Sequence, residues 1–349
     1  MSILQAPDYD DHEEVHFFHD PESGLKAFIA FHRRLGPAPS GGGIRMWPYV
    51  SEQEAIADVL RLSRAMTYKL AVSGIRIGSA KSVIIGDPRK DKSEALFRAF
   101  GRVVESFGGR YFCAEDVGIY AEDLAIIAKE TDHVVGLPGQ DPSPGTAKGI
   151  LVCLRAAVAH RLKRDTLQGV SVAVQGLGDV GFNLCRLLHE AGARLVVSDI
   201  VPERVARAVA EFGATAVDPG DIMSADVDAL APCALGEVVN DETIDDIRAT
   251  VICGGANNLL AEPRHGEILA ARSILFVPDY LSNSGGVITV AAIRGGQFAA
   301  DADPKIEALY DRCLEFFAEA ERAGISTNTA IEKFADRLIE ENYGVRRTA

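Results

Sequence analysis

The sequence predicts an α/β protein of two domains, and three observations carry that prediction. Apolar strand-like runs alternate with amphipathic helix-like runs along the chain, the pattern of a sheet with helices packed on it. The alternation is interrupted at Gly136–Gly145 (GLPGQDPSPG), where Gly and Pro crowd together as in a hinge, and then begins again. Soon after the second start a GxGxxG string falls between a strand-like and a helix-like run. A length of 349 residues suits two domains or one large one.

Taken in order, Val15–His19 and Leu25–His32 read as a hairpin around the turn-rich Asp20-Pro21-Glu22-Ser23-Gly24. Ser51-Glu52-Gln53-Glu54 reads as a capping box. It opens a helix with Ile56, Val59, Leu60 and Met66 on one face. A short apolar strand at Val83–Ile85 stops at Gly86-Asp87-Pro88. A helix near Ser93–Ser106, a strand near Arg110–Cys113 and a helix near Ala121–Glu130 follow. Beyond the hinge, strands are expected at Val170–Val174, Arg194–Val197, Val251–Cys253 and Ile274–Val277, and charged helical sequence over Pro304–Glu341.

Composition excludes several classes. A net charge of −14 without a basic run argues against a nucleic-acid surface. No stretch approaches the roughly 18 consecutive apolar residues of a membrane span. The acidic opening MSILQAPDYDDHEEV lacks the regions of a signal peptide. The six cysteines form no CxxC pair and read as buried hydrophobes of a reducing compartment, so a cytoplasmic location is expected. His12-Glu13-Glu14-Val15-His16 matches HExxH literally. That zinc motif needs a helix, whereas Val15–Phe18 reads as strand, so no metal is expected.

Gly176-Leu177-Gly178-Asp179-Val180-Gly181 has the setting a dinucleotide motif requires: strand Val170–Val174 before it, helix Phe182–Ala191 after it, and Asp199 at the end of the next strand. Gly176 allows the tight turn, Gly178 lets backbone approach a pyrophosphate, and Gly181 lets helix and strand pack closely. An acid at 199 accepts from the adenosine ribose and repels a 2′-phosphate, which favours NAD over NADP. The plain alternative is a glycine-rich turn without a ligand.

Lys69 ends the capped helix, and Lys81 sits in GIRIGSAKSVIIGDP between small residues and an apolar strand. A lysine there is costly to bury. Two partly desolvated ammonium groups near one another each lose proton affinity, so one serves as a base and the other holds an anion. Asp116, in Ala114-Glu115-Asp116-Val117-Gly118, adds an acid at another strand end. Each also has a bland reading: a lysine favours a helix C-terminus, and an acid caps a turn.

These residues resemble a known family. Gly42-Gly43-Ile44-Arg45-Met46, Met66-Thr67-Tyr68-Lys69 and Lys81-Ser82-Val83-Ile84-Ile85-Gly86-Asp87-Pro88 are similar to segments of the leucine/valine/phenylalanine branch of the Glu/Leu/Phe/Val amino-acid dehydrogenases. So are Gly109-Arg110-Tyr111, Ala114–Gly118, Val174–Gly178, Ala231–Gly236, Ala256-Asn257-Asn258 and Pro278-Asp279-Tyr280, in that order over nearly the whole chain.

The resemblance implies NAD-dependent, reversible oxidative deamination of an apolar, branched-chain type L-amino acid to a 2-oxo acid and ammonia. It puts the catalytic roles on Lys81, which activates water, and Asp116, which exchanges protons with the amine. Lys69 takes the substrate carboxylate, with a glycine-rich turn at Gly42 and Gly43 approaching the substrate's backbone end and Met66 and Asn258 around the substrate. Gly176, Leu177, Gly178, Asp179, Val180, Gly181, Asp199, Thr146, Cys233, Ala234 and Asn257 line the cofactor. It also implies a homo-oligomer and a split substrate domain, 1–140 rejoined by about 327–349. The Rossmann-type NAD domain covers 141–326, with a cleft between the two.

The chain departs from that pattern at Gly41, Ser79, Ala80, Gly145, Lys148 and Leu281-Ser282-Asn283-Ser284, which suggests an altered side-chain preference. Gly41 is expected to leave room for a larger side chain, so an aromatic amino-acid dehydrogenase is the alternative. A non-catalytic NAD-binding relative is another.

Overall fold

The structure, a computed structural model, describes residues 3–6 and 8–343. It forms two compact units. The first takes the chain up to Asp141 and again from Asp336; the second runs Pro142–Ala335. Residues 344–349 of the expected C-terminal return lie outside the described residues.

The first unit begins with β1 (Glu14–Asp20) and β2 (Leu25–Arg33), an antiparallel hairpin closed by Asp20↔Leu25. Then come β3 (Ser40–Trp47), α1 (Glu52–Val72), β4 (Gly78–Ile85), α2 (Glu94–Ser106), β5 (Tyr111–Glu115) and α3 (Ala121–Ile127). The sheet order is β1-β2-β4-β3-β5, with β3 parallel to both β4 and β5. The Ser51 hydroxyl caps α1 by accepting from Glu54 N–H at 3.2 Å, while the Glu54 carboxylate reaches back to Val50 N–H at 2.8 Å. The cap thus satisfies an orphan donor as expected, with the return bond one residue earlier than a capping box places it.

Strand alternation sorts this sheet into two faces. Ile29, Phe31, Ile44, Met46, Ala80, Ile84, Tyr111 and Cys113 face a core completed by Leu96, Phe97 and Phe100 of α2 and Leu124 and Ile127 of α3. Phe28, Ala30 and Val83 face Ala55, Val59 and Leu60 of α1. Lys81 shares parity with Val83 and therefore lies on the α1 face.

Two expectations need correcting here. β4 starts at Gly78, well before Val83, so Lys81 is inside the strand rather than at its mouth. The small residues before it pair with β2 on one side and β3 on the other, where room is short: a Cβ on Gly78 would lie 2.1 Å from Ser40 Oγ. Gly42 and Gly43, read as a turn, are interior residues of β3. A Cβ on Gly42 would sit 1.7 Å from the Ala80 carbonyl oxygen, so the glycine answers a neighbouring strand and not a bend.

The second unit contains α4 (Ser143–Leu162), β6 (Ser171–Gln175), α5 (Asp179–Glu190), β7 (Arg194–Ser198), α6 (Pro202–Phe212), β8 (Thr215–Ala216), β9 (Ala229–Pro232) and β10 (Val251–Ile252). It continues with α7 (Pro263–Ala271), β11 (Leu275–Phe276), α8 (Asp279–Ser282), α9 (Gly285–Arg294), α10 (Asp303–Glu307), α11 (Leu309–Ala323) and α12 (Thr327–Tyr343), the last crossing into the first unit at Asp336. All six strands are parallel, in the order β11-β10-β9-β6-β7-β8. From β6 the chain builds outward through β7 and β8, then returns to lay β9 on the other side of β6. This is the doubly wound order with its switch point at the C-terminal end of β6.

α4 occupies the last residues of the expected hinge, because Pro144 fits a helix's first turn. The charged tail, expected as helical throughout, breaks at Gly324, whose φ of 63° ends α11.

Candidate active site

The first unit brings three predicted residues together. Lys81 on β4 places Nζ 2.5 Å from Asp116 Oδ2, just past the end of β5. Gly43 on β3 lies against both: a Cβ there would be 2.9 Å from Asp116 Cβ and 3.0 Å from Lys81 Nζ. The missing side chain is the space the ion pair fills. Asp116 Oδ1 accepts from Val117 N–H at 2.7 Å.

Burial of Asp116 pushes its carboxyl toward the neutral form, but the nearby charges of Lys81 and Arg45 win. Its pKa lies below the usual carboxylate range. Arg45, two residues after Gly43 on the same face of β3, stands 3.7 Å from Asp116 Oδ2. No motif singled it out as a site residue, although period-two alternation from Gly43 points to it.

Lys69 and Met66 lie on α1, both half-buried. A buried hydroxyl pair ties that helix to β4: Thr67 Oγ1 and Ser79 Oγ share a short hydrogen bond, each two residues before one of the lysines. Thr67 also bonds His32 Nδ1 at 2.7 Å, and Ser79 Oγ accepts from Arg33 N–H at 3.2 Å.

Several sequence departures turn out to be internal packing. Ser79 and Ala80 are fully buried. Gly41 does not leave room for a substrate: the Phe112 ring fills it, 2.1 Å from where a Cβ would stand. Lys148 pairs with Asp303 of α10 at 2.8 Å. A Cβ on Gly145 would lie 2.0 Å from Thr289 Oγ1 of α9, so the glycine lets those helices approach. Ser282 and Ser284 donate to the carbonyls of Gly254 and Leu281, each at 2.7 Å.

In the second unit the glycine loop sits at the switch point. Gly176 has φ 88° and donates its N–H to Ser198 O at 2.8 Å. A Cβ on it would be 2.7 Å from Ala234 Cβ. Gly181 packs so that a Cβ would meet Gly176 O at 1.9 Å and Cys233 Cβ at 3.4 Å. Gly178, the N-cap of α5, differs: a Cβ there would meet no atom of the described residues within 4 Å. Asp179 and Val180 follow in the helix's first turn, with backbone N–H groups that the helix itself leaves unpaired.

Asp199 is turned first toward the loop. Its Oδ2 accepts from Leu177 N–H at 2.6 Å and its Oδ1 from Val201 N–H at 2.8 Å, leaving each oxygen further acceptor capacity. Gln175 Oε1 and Ser198 Oγ, at the ends of β6 and β7, are buried without a hydrogen-bond partner among the described residues. An open glycine, a bare helix N-terminus, an acid one strand over and two orphaned acceptors fit a dinucleotide.

The remaining expected residues also lie in this unit. Asn257 Oδ1 accepts from Asn283 Nδ2 at 2.7 Å, and Asn258, at φ 53°, donates its N–H to Asp279 Oδ2 at 2.9 Å. Thr146 Oγ1 donates to Pro142 O at 3.2 Å. The two HExxH histidines do not share a helix: His12 bonds Leu60 O and Ser63 Oγ, while His16 lies on β1 against Phe107.

Known proteins match the chain from end to end. A family model for the Glu/Leu/Phe/Val dehydrogenase dimerisation domain covers residues 12–133. A second, for Glutamate/Leucine/Phenylalanine/Valine dehydrogenase, covers 140–202 and 197–294. The leucine dehydrogenase of Geobacillus stearothermophilus is 50% identical over 97% of this chain and 94% of its own length. The phenylalanine dehydrogenase of Caldalkalibacillus thermarum is 43% identical over 98% and 95%. The crystal structure of L-tryptophan dehydrogenase from Nostoc punctiforme superposes with a TM-score of 0.86 at 41% identity, over 96% of this chain and 97% of that one. With its lysine–aspartate pair in the first unit and its glycine loop in the second, the chain belongs to the Glu/Leu/Phe/Val dehydrogenase family, in the leucine/valine/phenylalanine branch.

Proposed function

We propose that this protein is an NAD-dependent dehydrogenase of branched-chain L-amino acids. It would carry an amino acid and water to the 2-oxo acid and ammonium, and back. The observation that supports the chemistry best is the Lys81–Asp116 contact of 2.5 Å on a sheet face that Gly43 leaves open for it. The side-chain preference follows the relatives: leucine dehydrogenases stand at 50% identity and the aromatic enzymes at 43%. Phe112 filling the space at Gly41 removes the sequence argument for an aromatic side chain.

In this reading Lys69 pairs with the substrate carboxylate, and Gly42, Gly43, Met66 and Asn258 lie along the substrate. Fixing Cα in this way removes the entropy of alignment from the barrier. Asp116 takes a proton from the substrate ammonium, leaving an amine lone pair that assists loss of hydride from Cα. Gly176–Gly181, Asp199, Thr146, Cys233, Ala234 and Asn257 would hold NAD, which would supply the hydride acceptor. Lys81, as the free amine, takes a proton from the water that adds to the resulting imine carbon. Asp116 returns its proton to the nitrogen, the C–N bond breaks as the hydroxyl proton passes to the departing ammonia to give ammonium and the 2-oxo acid, and Lys81 releases its proton to solvent.

A homo-oligomer built through the first unit, with its dimerisation-domain match, and a cytoplasmic location complete the proposal. No described helix is long and apolar enough to cross a membrane. The deciding experiment follows NADH absorbance with a panel of L-amino acids, in both directions and with NADP as control. Turnover with leucine, isoleucine and valine is expected. Preference for phenylalanine or tryptophan would replace the substrate assignment. No turnover with any amino acid, with NAD still bound, would leave a non-catalytic relative.

A further inference from the structure

Asp116 has two cationic neighbours where a simple lysine–acid couple has one. Gly43 and Arg45 stand two apart on β3 and so share the face that carries Lys81. Arg45 reaches 3.7 Å from Asp116 Oδ2 on one side and 3.2 Å from Asp58 Oδ2 on the other. Asp58, on α1, is 8% exposed and is itself held: it accepts from the Tyr49 hydroxyl at 2.6 Å and from Arg61 at 2.6 Å. The run Lys81–Asp116–Arg45–Asp58 thus alternates in sign, and Tyr49 and Arg61 close its far end.

A lysine that acts as a base must lose its proton, yet a lone carboxylate at 2.5 Å opposes that loss. An arginine beside the same carboxylate changes the balance, because guanidinium keeps its charge at any working pH. We propose that Arg45, clamped by Asp58, is a positioning residue of the reaction. It supplies the permanent counter-charge of Asp116 and so frees Lys81 to give up and regain its proton.

The groups facing Asp116 support the assignment. Among the described residues they include Lys81 from β4, Arg45 from β3 and Tyr49 from the segment after β3; the neighbouring Glu115 is exposed. Tyr49 is half-buried and its hydroxyl is raised well out of the working range, first by desolvation and then by Asp58, so it stays neutral. Arg45 is the one permanent cation in that set.

The inference rests on the proposed deamination, so its test has one arm with turnover and one without. The kcat of oxidative deamination is measured against pH for the parent, Arg45→Met, Arg45→Lys and Asp58→Asn. In Arg45→Met, kcat near neutrality falls about tenfold or more and the acid limb moves up by about one pH unit, with KM for the amino acid changed less than about threefold. Arg45→Lys recovers part of both changes. Asp58→Asn moves the limb the same way by less, and it carries the turnover arm if Arg45→Met does not fold.

The second arm needs no turnover. Acetylation of Lys81 by acetic anhydride, read by peptide mass spectrometry across pH, reports the unprotonated amine directly. Its onset moves up by about one pH unit in Arg45→Met. A parent without activity refutes the functional reading alone, because the labelling still tests the clamp. Superimposable pH profiles or labelling curves in parent and Arg45→Met would overturn the proposal, as would a uniform loss of kcat at every pH.

Discussion

The two sheets use glycine beside a strand for opposite purposes. In the first unit, Gly43 sits inside β3, and the space it leaves is filled by the protein's own charges, Lys81 and Asp116. In the second, Gly178 sits beyond the end of β6 at the start of a helix, and no described residue fills the space it leaves. One absence of a side chain makes room for a lysine–aspartate pair, and the other leaves space beside the start of a helix. The same residue type thus has different consequences when a methyl group is added.

The largest effect tests the filled space. Replacing Lys81 with alanine is expected to lower kcat by at least about a thousandfold, near the upper range for a general base. NAD affinity, read by calorimetry, stays unchanged. Retained turnover would contradict the role given to it.

Gly43→Ala comes next. Its methyl would stand 2.6 Å from Glu115 O and 3.0 Å from Lys81 Nζ, so kcat falls about a hundredfold with little change in NAD affinity. Gly178→Ala should do the reverse. It folds with an unchanged Tm but binds NAD about tenfold more weakly, roughly 1.4 kcal/mol, because the methyl blocks close approach to the pyrophosphate. If both substitutions damaged the same parameter, the contrast between the two glycines would collapse.

The smallest effect concerns the buried histidines packed beside α1. His12 is 6% exposed, and burial lowers its pKa from 6.5 to about 4, helped by the neighbouring His32. His32 is lowered as well, again first by burial. A histidine kept neutral by folding destabilises the native state wherever the unfolded chain takes up the proton and the folded one does not. Stability should therefore fall as pH drops from about 6.5 to about 4 and change no further through His12 below that. Thermal melts should lose several degrees over this window, and His12→Gln should flatten the slope. An equal slope in both proteins would show that His12 is not responsible.

Sequence and structure agree most closely where meaning is local. The GxGxxG string, the strand before it, the helix after it and Asp199 all belong to one short βαβ segment, so spacing alone could assemble them. The hairpin of β1 and β2 was legible for the same reason, since its turn and its two faces are written within one stretch. The lysines and Asp116 could be nominated as site residues from their odd settings and from family resemblance.

Glycines 41 to 43 show where reading failed. Gly42 and Gly43 look like a turn and Gly41 like room for a larger side chain, because the contacts that require them come from elsewhere in the chain. Phe112 fills the space at Gly41, Ala80 O lies against Gly42, and Lys81 with Asp116 lies against Gly43. Lys148 and Ser79 looked like pocket residues until Asp303, Thr67 and Arg33 appeared beside them.

By itself, then, the sequence determined the α/β class and the glycine loop between strand and helix, because periodicity and motif spacing are properties of neighbouring residues, while the family came from resemblance to known segments. Only the tertiary structure decided that β3 runs straight through its glycines, that Lys81 faces Asp116 inside a strand, and that Arg45 stands behind that acid. These depend on strand register, and register is set by pairing between segments that lie far apart in the chain.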